Sequence, residues 1–399
     1  MAGPLKGFRI IDFTTMVSGP IATMMLADQG ADVIKIEPPG GEYMRKTGVQ
    51  HRGMPSGFLS CNRNKRSLSV DLKRTEGLEV IKKLAANADV LVQNFRPGAI
   101  ERMGLGEDVV RRLQPKIIYV SISGFGETGP YSGQRVYDPI IQAISGLADI
   151  QRDRESGQPK MVRTIIPDKT TSVTAAQAIT AALLHRERTG EGQHVRLSML
   201  DTMIAFLWPE GMSGLNFVGN EVDPGRAQMG LDLVFQTLDG YITAAAVADS
   251  EWAGLCRALR REELITDSKY KTPADRSRNQ TERRQMITDE LAKWKSDEIL
   301  GRLKGEDVPC APILDRWSVL EDEQVRENEV VEIHDHPTLG QVRQPRPAAR
   351  FDRTPAKVES LAPFLGADNS EILSEAGYSI EDIERLERDG VFYREELQN

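Results

Sequence analysis

Asp168 is the residue on which chemistry is most readily built. It follows Pro167 and precedes a run of small residues, Thr170, Thr171, Ser172, Thr174, Ala175 and Ala176, that reads as the first half of a helix. A carboxylate there can act as the N-cap, accepting a backbone N–H. The same position suits a covalent nucleophile, because the helix N-terminus favours the ionised form and the proline turn aims it outward. On the residues alone both roles stay open.

Other chemistries find less footing. The five histidines, His51, His185, His194, His334 and His336, have no Gly-x-Ser-x-Gly elbow to serve and read as helical or surface residues. His334 and His336 flank Asp335, but two loop ligands without a third predict no metal. Cys61, Cys256 and Cys310 show no paired spacing, which argues against a disulfide framework or a zinc site and fits a reducing cytoplasm. The turn at 14–20 sits where a dinucleotide fingerprint would, yet it offers only Gly19. The glycine-rich stretch at 123–130 lacks a phosphate-loop lysine and is expected to form a wall of the site beyond a strand.

These residues need a scaffold, and the apolar pattern supplies one. A strand at 8–13, a helix from Pro20 to Gly30 and a strand at 33–36 make a βαβ unit. Helices at 75–86 and 109–113 lead to strands at 90–92 and 117–122, and a helix at 168–188 leads to a strand at 194–197. Such alternation predicts an α/β fold with a parallel sheet. A second unit is expected around a strand at 241–247 and a helix at 252–259. The charged stretch 260–284 reads as solvated surface, and 338–357, interrupted by Pro345, Pro347 and Pro355, as an extended connection before a last helix at 379–388.

The 399 residues, 40% hydrophobic, suffice for two domains. A balance of 51 basic against 59 acidic residues, net charge −8, leaves no basic tract for nucleic acid or an anionic membrane. No apolar run reaches a membrane-spanning length and no leader pattern opens the chain, so a cytoplasmic enzyme with small partners is expected.

Several segments in order resemble the class III CoA-transferases. They are Gly19-Pro20, the stretch Gly30-Ala31-Asp32-Val33-Ile34-Lys35-Ile36-Glu37, Asn62-Arg63-Asn64-Lys65-Arg66-Ser67, Asn94-Phe95-Arg96-Pro97-Gly98 with Arg102-Met103-Gly104, Ser121 to Gly126, and Thr189 to Gln193. The resemblance covers nearly the whole chain. It implies that Asp168 attacks an acyl-CoA thioester, and that CoA passes to a carboxylic acid through an aspartyl mixed anhydride and an enzyme thioester. It places CoA along Leu72, Lys73, Asn94, Phe95, Arg96, Arg102, Met103 and Arg135, and the acyl pocket at Val17, Ser18, Tyr137 and Asp138. Coenzyme A is then a substrate, with no tightly bound cofactor.

The implied architecture is a Rossmann-like large domain with a parallel sheet plus a smaller α+β domain, in an interlocked ring-like homodimer. The large domain would take 1–205, a linker 206–230, the small domain 231–330, a second linker 331–357, and the return to the large domain 358–399. Racemases of the same fold carry a histidine directly before the aspartate where this chain has Tyr137, whose hydroxyl titrates about 3 units higher, so transfer is expected over racemisation. The alternatives are an acyl-CoA racemase or a catalytically silent CoA-binding protein. Val17 stands where formyl-CoA-using members carry glutamine, and no tetraglycine loop occurs between 211 and 233. Oxalate is therefore not the expected acid, and residues 229–233 are the expected shield for the intermediate. Arg45, Arg52 and Arg163 are candidates for gripping the second carboxylate of a diacid.

Overall fold

The computed structural model describes residues 3–153, 156–222 and 233–395. It divides into one unit formed by Met1–Ala227 with Glu329–Asn399 and another formed by Gln228–Asn328. The shield expected at 229–233 and the end of the 206–230 linker fall largely outside the described residues. Among the described residues no helix is long and apolar enough to cross a membrane.

The first unit is built on six parallel strands: β1 (Arg9–Asp12), β2 (Asp32–Glu37), β3 (Lys65–Ser69), β4 (Val90–Gln93), β5 (Ile118–Ser123) and β6 (Gln193–Ser198). Their order across the sheet is β3-β2-β1-β4-β5-β6. Side chains alternate between two cores, as the pleat requires. Ile10, Val33, Val90, Val92 and Ile118 pack with Ala22 and Leu26 of α1 (Ser18–Asp28). Ala175, Ile179 and Leu183 of α5 (Ile166–Thr189) join that same core. The small residues foreseen in the first half of α5 are what let it lie close to α1.

On the opposite face, Ile11, Ile34, Leu68, Leu91 and Tyr119 meet Val80, Ile81 and Leu84 of α2 (Thr75–Ala85) and Val110 of α3 (Glu107–Leu113). The chain end completes this face with Ile372 and Leu373 of α6 (Asn369–Glu375) and Ile383 and Leu386 of α7 (Ile380–Arg388). The same segment covers the outer edge of β3: the Ser67 and Ser69 amides donate to the side chains of Asp368 (2.7 Å) and Asn369 (3.0 Å), and Val70 bridges to Phe392.

Three expectations need correction. The helix around Asp168 starts at Ile166 after Ile165, so Asp168 lies inside the first turn and is not its N-cap. The connection at 338–357 is not a bare linker, since its first part, Gly340–Pro345, pairs with Val331–His336 as an antiparallel hairpin before the prolines end the ladder. Nor is 260–284 plain surface, because Arg276 is 1% exposed, donates to the Tyr270 carbonyl and pairs with Asp249. That arginine belongs to the second unit, where the strands Val234–Gln236, Tyr241–Ala244 and Cys310–Pro312 form an antiparallel sheet. Trp252, Leu255, Leu291, Ile299 and Leu303 fill its core.

Candidate active site

The strand order reverses between β1 and β4, because the chain leaves β1 toward β2 and leaves β4 toward β5. A crevice opens at such a switch point, beyond the carboxyl ends of the strands, and α/β sheets bind ligands there. Two loops border it, residues 13–17 after β1 and 94–98 after β4.

The first loop has no regular structure, yet side chains hold its backbone group by group. The Thr14 amide donates to Asp12 Oδ1 (2.9 Å), and the Thr14 carbonyl accepts from Lys35 Nζ (2.9 Å). Asn94 holds both sides of Thr15, accepting its N–H and donating to its carbonyl at 2.8 Å each. The Met16 amide donates to Glu42 Oε2 (2.7 Å) while Met16 adopts a left-handed φ of 68°. Gly19 follows because a Cβ there would lie 2.3 Å from that of Thr14.

Beneath the loop sits a cluster of buried charges. Asp12, Lys35 and Lys65 project from adjacent strands, with Lys65 2.9 Å from Asp12 and Lys35 2.8 Å from Glu42. Lys65 also donates to Pro20 O and Asn62 Oδ1. Burial opposes the charge on Asp12, but Lys65 and Lys35 outweigh it and hold its carboxyl below the usual range. Burial likewise opposes the charge on Lys35, and Glu42 and Asp12 outweigh it. None of these contacts was read from the sequence. The available signal was a lysine between Ile34 and Ile36 in a strand buried on both faces, which demands a carboxylate nearby.

Asp168 lies where three helix N-termini meet. It occupies the first turn of α5, behind Pro167. Its backbone N–H donates to Oδ2 of Asp138 (3.2 Å), the first residue of α4 (Asp138–Ile144). Asp138 thus does the capping once assigned to Asp168 itself. The other Asp138 oxygen accepts from Gln142 Nε2 (2.7 Å), and Gln142 in turn binds the Val162 backbone through both ends of its amide. From α1, the Ser18 hydroxyl and amide face the Asp168 carboxylate. Burial, then the charge of Asp138, pushes the Asp168 carboxyl up to about 6, while Ser18 pulls the other way. No cation neutralises the two carboxylates among the described residues.

The remaining residues separate. Ser18 and Asp138 are buried beside Asp168. Val17 is half-buried and its carbonyl serves α1, accepting from Ile21. Tyr137 is 65% exposed beside Asp138. Asn94 spends its side chain on Thr15, while the Phe95 amide donates to Gln93 Oε1 (2.8 Å) and its ring joins the α2 core, as does Leu72. Met103 is half-buried. Lys73, Arg96, Arg102 and Arg135 are exposed, outside any ion pair among the described residues.

A cleft of about 390 Å³ opens beside Phe95, Pro97 and Gly98 and reaches Ser121, His194 and Arg196. Glu101, Glu107, Asp108 and Glu127 line it, a poor seat for phosphates, so the exposed arginines and Lys73 are the better-suited cations. Arg45 is committed elsewhere, forked onto Glu37 with two bonds of 2.7 Å and stacked 3.7 Å from the Phe58 ring. Arg52 donates to the Thr338 carbonyl. Arg163 remains exposed and unpaired among the described residues, next to the Val162 that Gln142 holds.

The sequence profile of CoA-transferase family III matches residues 5–369. A succinyl-CoA:glutarate CoA-transferase of Mus musculus is 36% identical over 400 residues, spanning 99% of this chain and 92% of its own. A succinate–glutarate CoA-transferase of Agrobacterium fabrum is 34% identical, with 96% and 97% covered. The crystal structure of a CaiB/BaiF family protein from Brucella suis superposes with a TM-score of 0.82 at 30% identity, covering 94% of this chain and 100% of that one.

Proposed function

The chain belongs to CoA-transferase family III, and from that premise we propose that it moves coenzyme A between dicarboxylic acids with Asp168 as the covalent nucleophile. The observation that carries this reading is the Asp168 carboxylate, half-buried beside Asp138 and facing Ser18 at the switch point of the sheet. With its carboxyl pushed up to about 6, Asp168 is still about nine-tenths ionised at pH 7 and more nucleophilic than a free aspartate.

An Asp168 oxygen attacks the thioester carbon of the donor acyl-CoA. The C–O bond forms, the C–S bond breaks, and CoA leaves as a thiolate, giving a mixed anhydride. The thiolate then attacks the Asp168 carbonyl carbon, expelling the donor acid as its carboxylate and leaving an aspartyl thioester. The acceptor carboxylate attacks that thioester, and the released thiolate takes the acceptor acyl group from the second anhydride, restoring Asp168. No step consumes water, so the thioester's energy is kept. Ser18 orients the carboxylate, and Asp138 and Gln142 fix the first turn that carries it.

Lys73, Arg96, Arg102 and Arg135 supply cations for the CoA phosphates, and Leu72, Phe95 and Met103 the apolar path beside them. Of the three arginines considered for the far carboxylate of a diacid, Arg163 is free to serve. A homodimer is the proposed assembly. Its support is the apolar groove of about 760 Å³ along α1 and α5, lined by Met24, Met25, Val173, Leu184 and Phe351. Hydroxylamine added during turnover of succinyl-CoA with glutarate should convert Asp168 to a hydroxamate, located by mass spectrometry. Transfer at full rate by Asp168→Ala would sink the assignment.

A further inference from the structure

Glu42 stands apart from the other carboxylates near the site. It is 3% exposed, follows the Pro38–Gly41 turn, and uses its two oxygens on different partners. Oε1 lies 2.8 Å from Lys35 Nζ, within the buried charge cluster. Oε2 accepts the Met16 N–H at 2.7 Å. Met16 holds a left-handed φ of 68°, a conformation that a side-chain-bearing residue keeps only when its surroundings enforce it. Asp12 and Asn94 grip the loop upstream, at Thr14 and Thr15. The bond from Glu42 is the last side-chain hold on the backbone before Ser18, which begins α1 and faces Asp168.

We propose that Glu42 is a positioning residue for the nucleophile: its hold on the Met16 amide fixes the turn that presents Ser18 to Asp168. Glu42 does not touch substrate. The ion pair with Lys35 anchors the carboxylate, and its second oxygen sets the loop, so one side chain has a stability task and a catalytic-geometry task that different substitutions separate. The inference rests on the reading of Asp168 as nucleophile.

Glu42→Gln keeps an acceptor of the same reach for Met16 but turns an amide toward the Lys35 ammonium. Glu42→Asp keeps the charge for Lys35 but is one methylene too short to serve both partners. The two variants, assayed as full chains with succinyl-CoA and glutarate, should rank in opposite orders. Glu42→Asp should lose roughly 10- to 100-fold in kcat, the scale of a small misplacement of a reacting group, with KM for succinyl-CoA changed less than about threefold. Glu42→Gln should keep more of kcat and lose more in Tm. If Glu42→Gln does not fold, Glu42→Asp decides alone through its kcat and KM. Wild-type kcat in Glu42→Asp, or kcat and Tm falling in the same order across both variants, overturns the proposal. Asp168→Ala run alongside separates the two readings: an inert Asp168→Ala with a fully active Glu42→Asp removes this inference only, whereas an active Asp168→Ala removes the nucleophile assignment.

Discussion

Two groups of buried charge share one end of the central sheet and follow opposite rules. Under the first loop, Asp12 meets Lys65, Lys35 meets Glu42, and Glu37 meets Arg45, each across a contact under 3 Å. At the start of α5, Asp168 and Asp138 sit together with no cation beside them among the described residues. A buried charge with an opposite partner holds geometry, since removing either member strands the other. A buried charge beside a like charge is kept destabilised and reactive. The first group builds the frame in which the second can exist.

The largest effect should come from the reactive pair. Asp168→Ala should lower CoA transfer by about a thousandfold or more while leaving the circular dichroism spectrum intact, as loss of a covalent nucleophile does. The frame should break differently. Lys65→Met leaves Asp12 buried without its closest cation and should cost about 3–5 kcal/mol in urea unfolding, whereas Lys65→Met with Asp12→Asn should recover part of it.

The comparison sharpens with Asp168→Asn. Because the folded Asp168 carboxyl is pushed up to about 6, above the ordinary aspartate value, the native state holds that proton more tightly than the unfolded chain. Ionisation of Asp168 therefore opposes folding at neutral pH, and its contribution to stability rises as pH falls from about 6 toward 4. Asp168→Asn should be inactive yet more stable than wild type at pH 7.5 by about 1–3 kcal/mol. The gap should close in melts below pH 4.

Asp138→Asn tests the like charge with the smallest expected change. It keeps an acceptor for the Asp168 N–H but removes the repulsion. The acid limb of the kcat profile should move down from about 6, and kcat at pH 7.5 should fall roughly tenfold as the nucleophile weakens. An unchanged acid limb would mean that burial alone sets the Asp168 titration.

Much of the parallel sheet was legible because strands buried on both faces leave continuous apolar runs, and the helices between them keep their own period. Asp168 stood out through Pro167 and the small residues behind it. Its partners Ser18 and Asp138 were reached only through the family resemblance, as pocket residues, and not from any local pattern. Asp138 lies 30 positions earlier and Ser18 at the far end of the unit's sequence, and nothing local links a helix start to a cap borrowed from another helix. The N-cap reading failed because Pro167 occupies the second helical position, placing the helix start two residues earlier. Asn94 was expected beside CoA from family resemblance, while its bonds to Thr15 depend on the β1–β4 adjacency, which no single segment encodes. Arg276 was misread for a related reason, since composition cannot tell a solvated arginine from one folded over a tryptophan.

The seal on the edge of β3 has a consequence for how the protein is made. Asp368 and Asn369, which occupy the free amides of Ser67 and Ser69, emerge from the ribosome some three hundred residues after the strand they cover. At cellular elongation rates that interval is on the order of tens of seconds. Throughout it a nascent β3 offers an open edge to any neighbouring strand. Chains truncated before residue 366 should therefore aggregate during synthesis and lean on chaperones, although every residue assigned to the chemistry has already been translated.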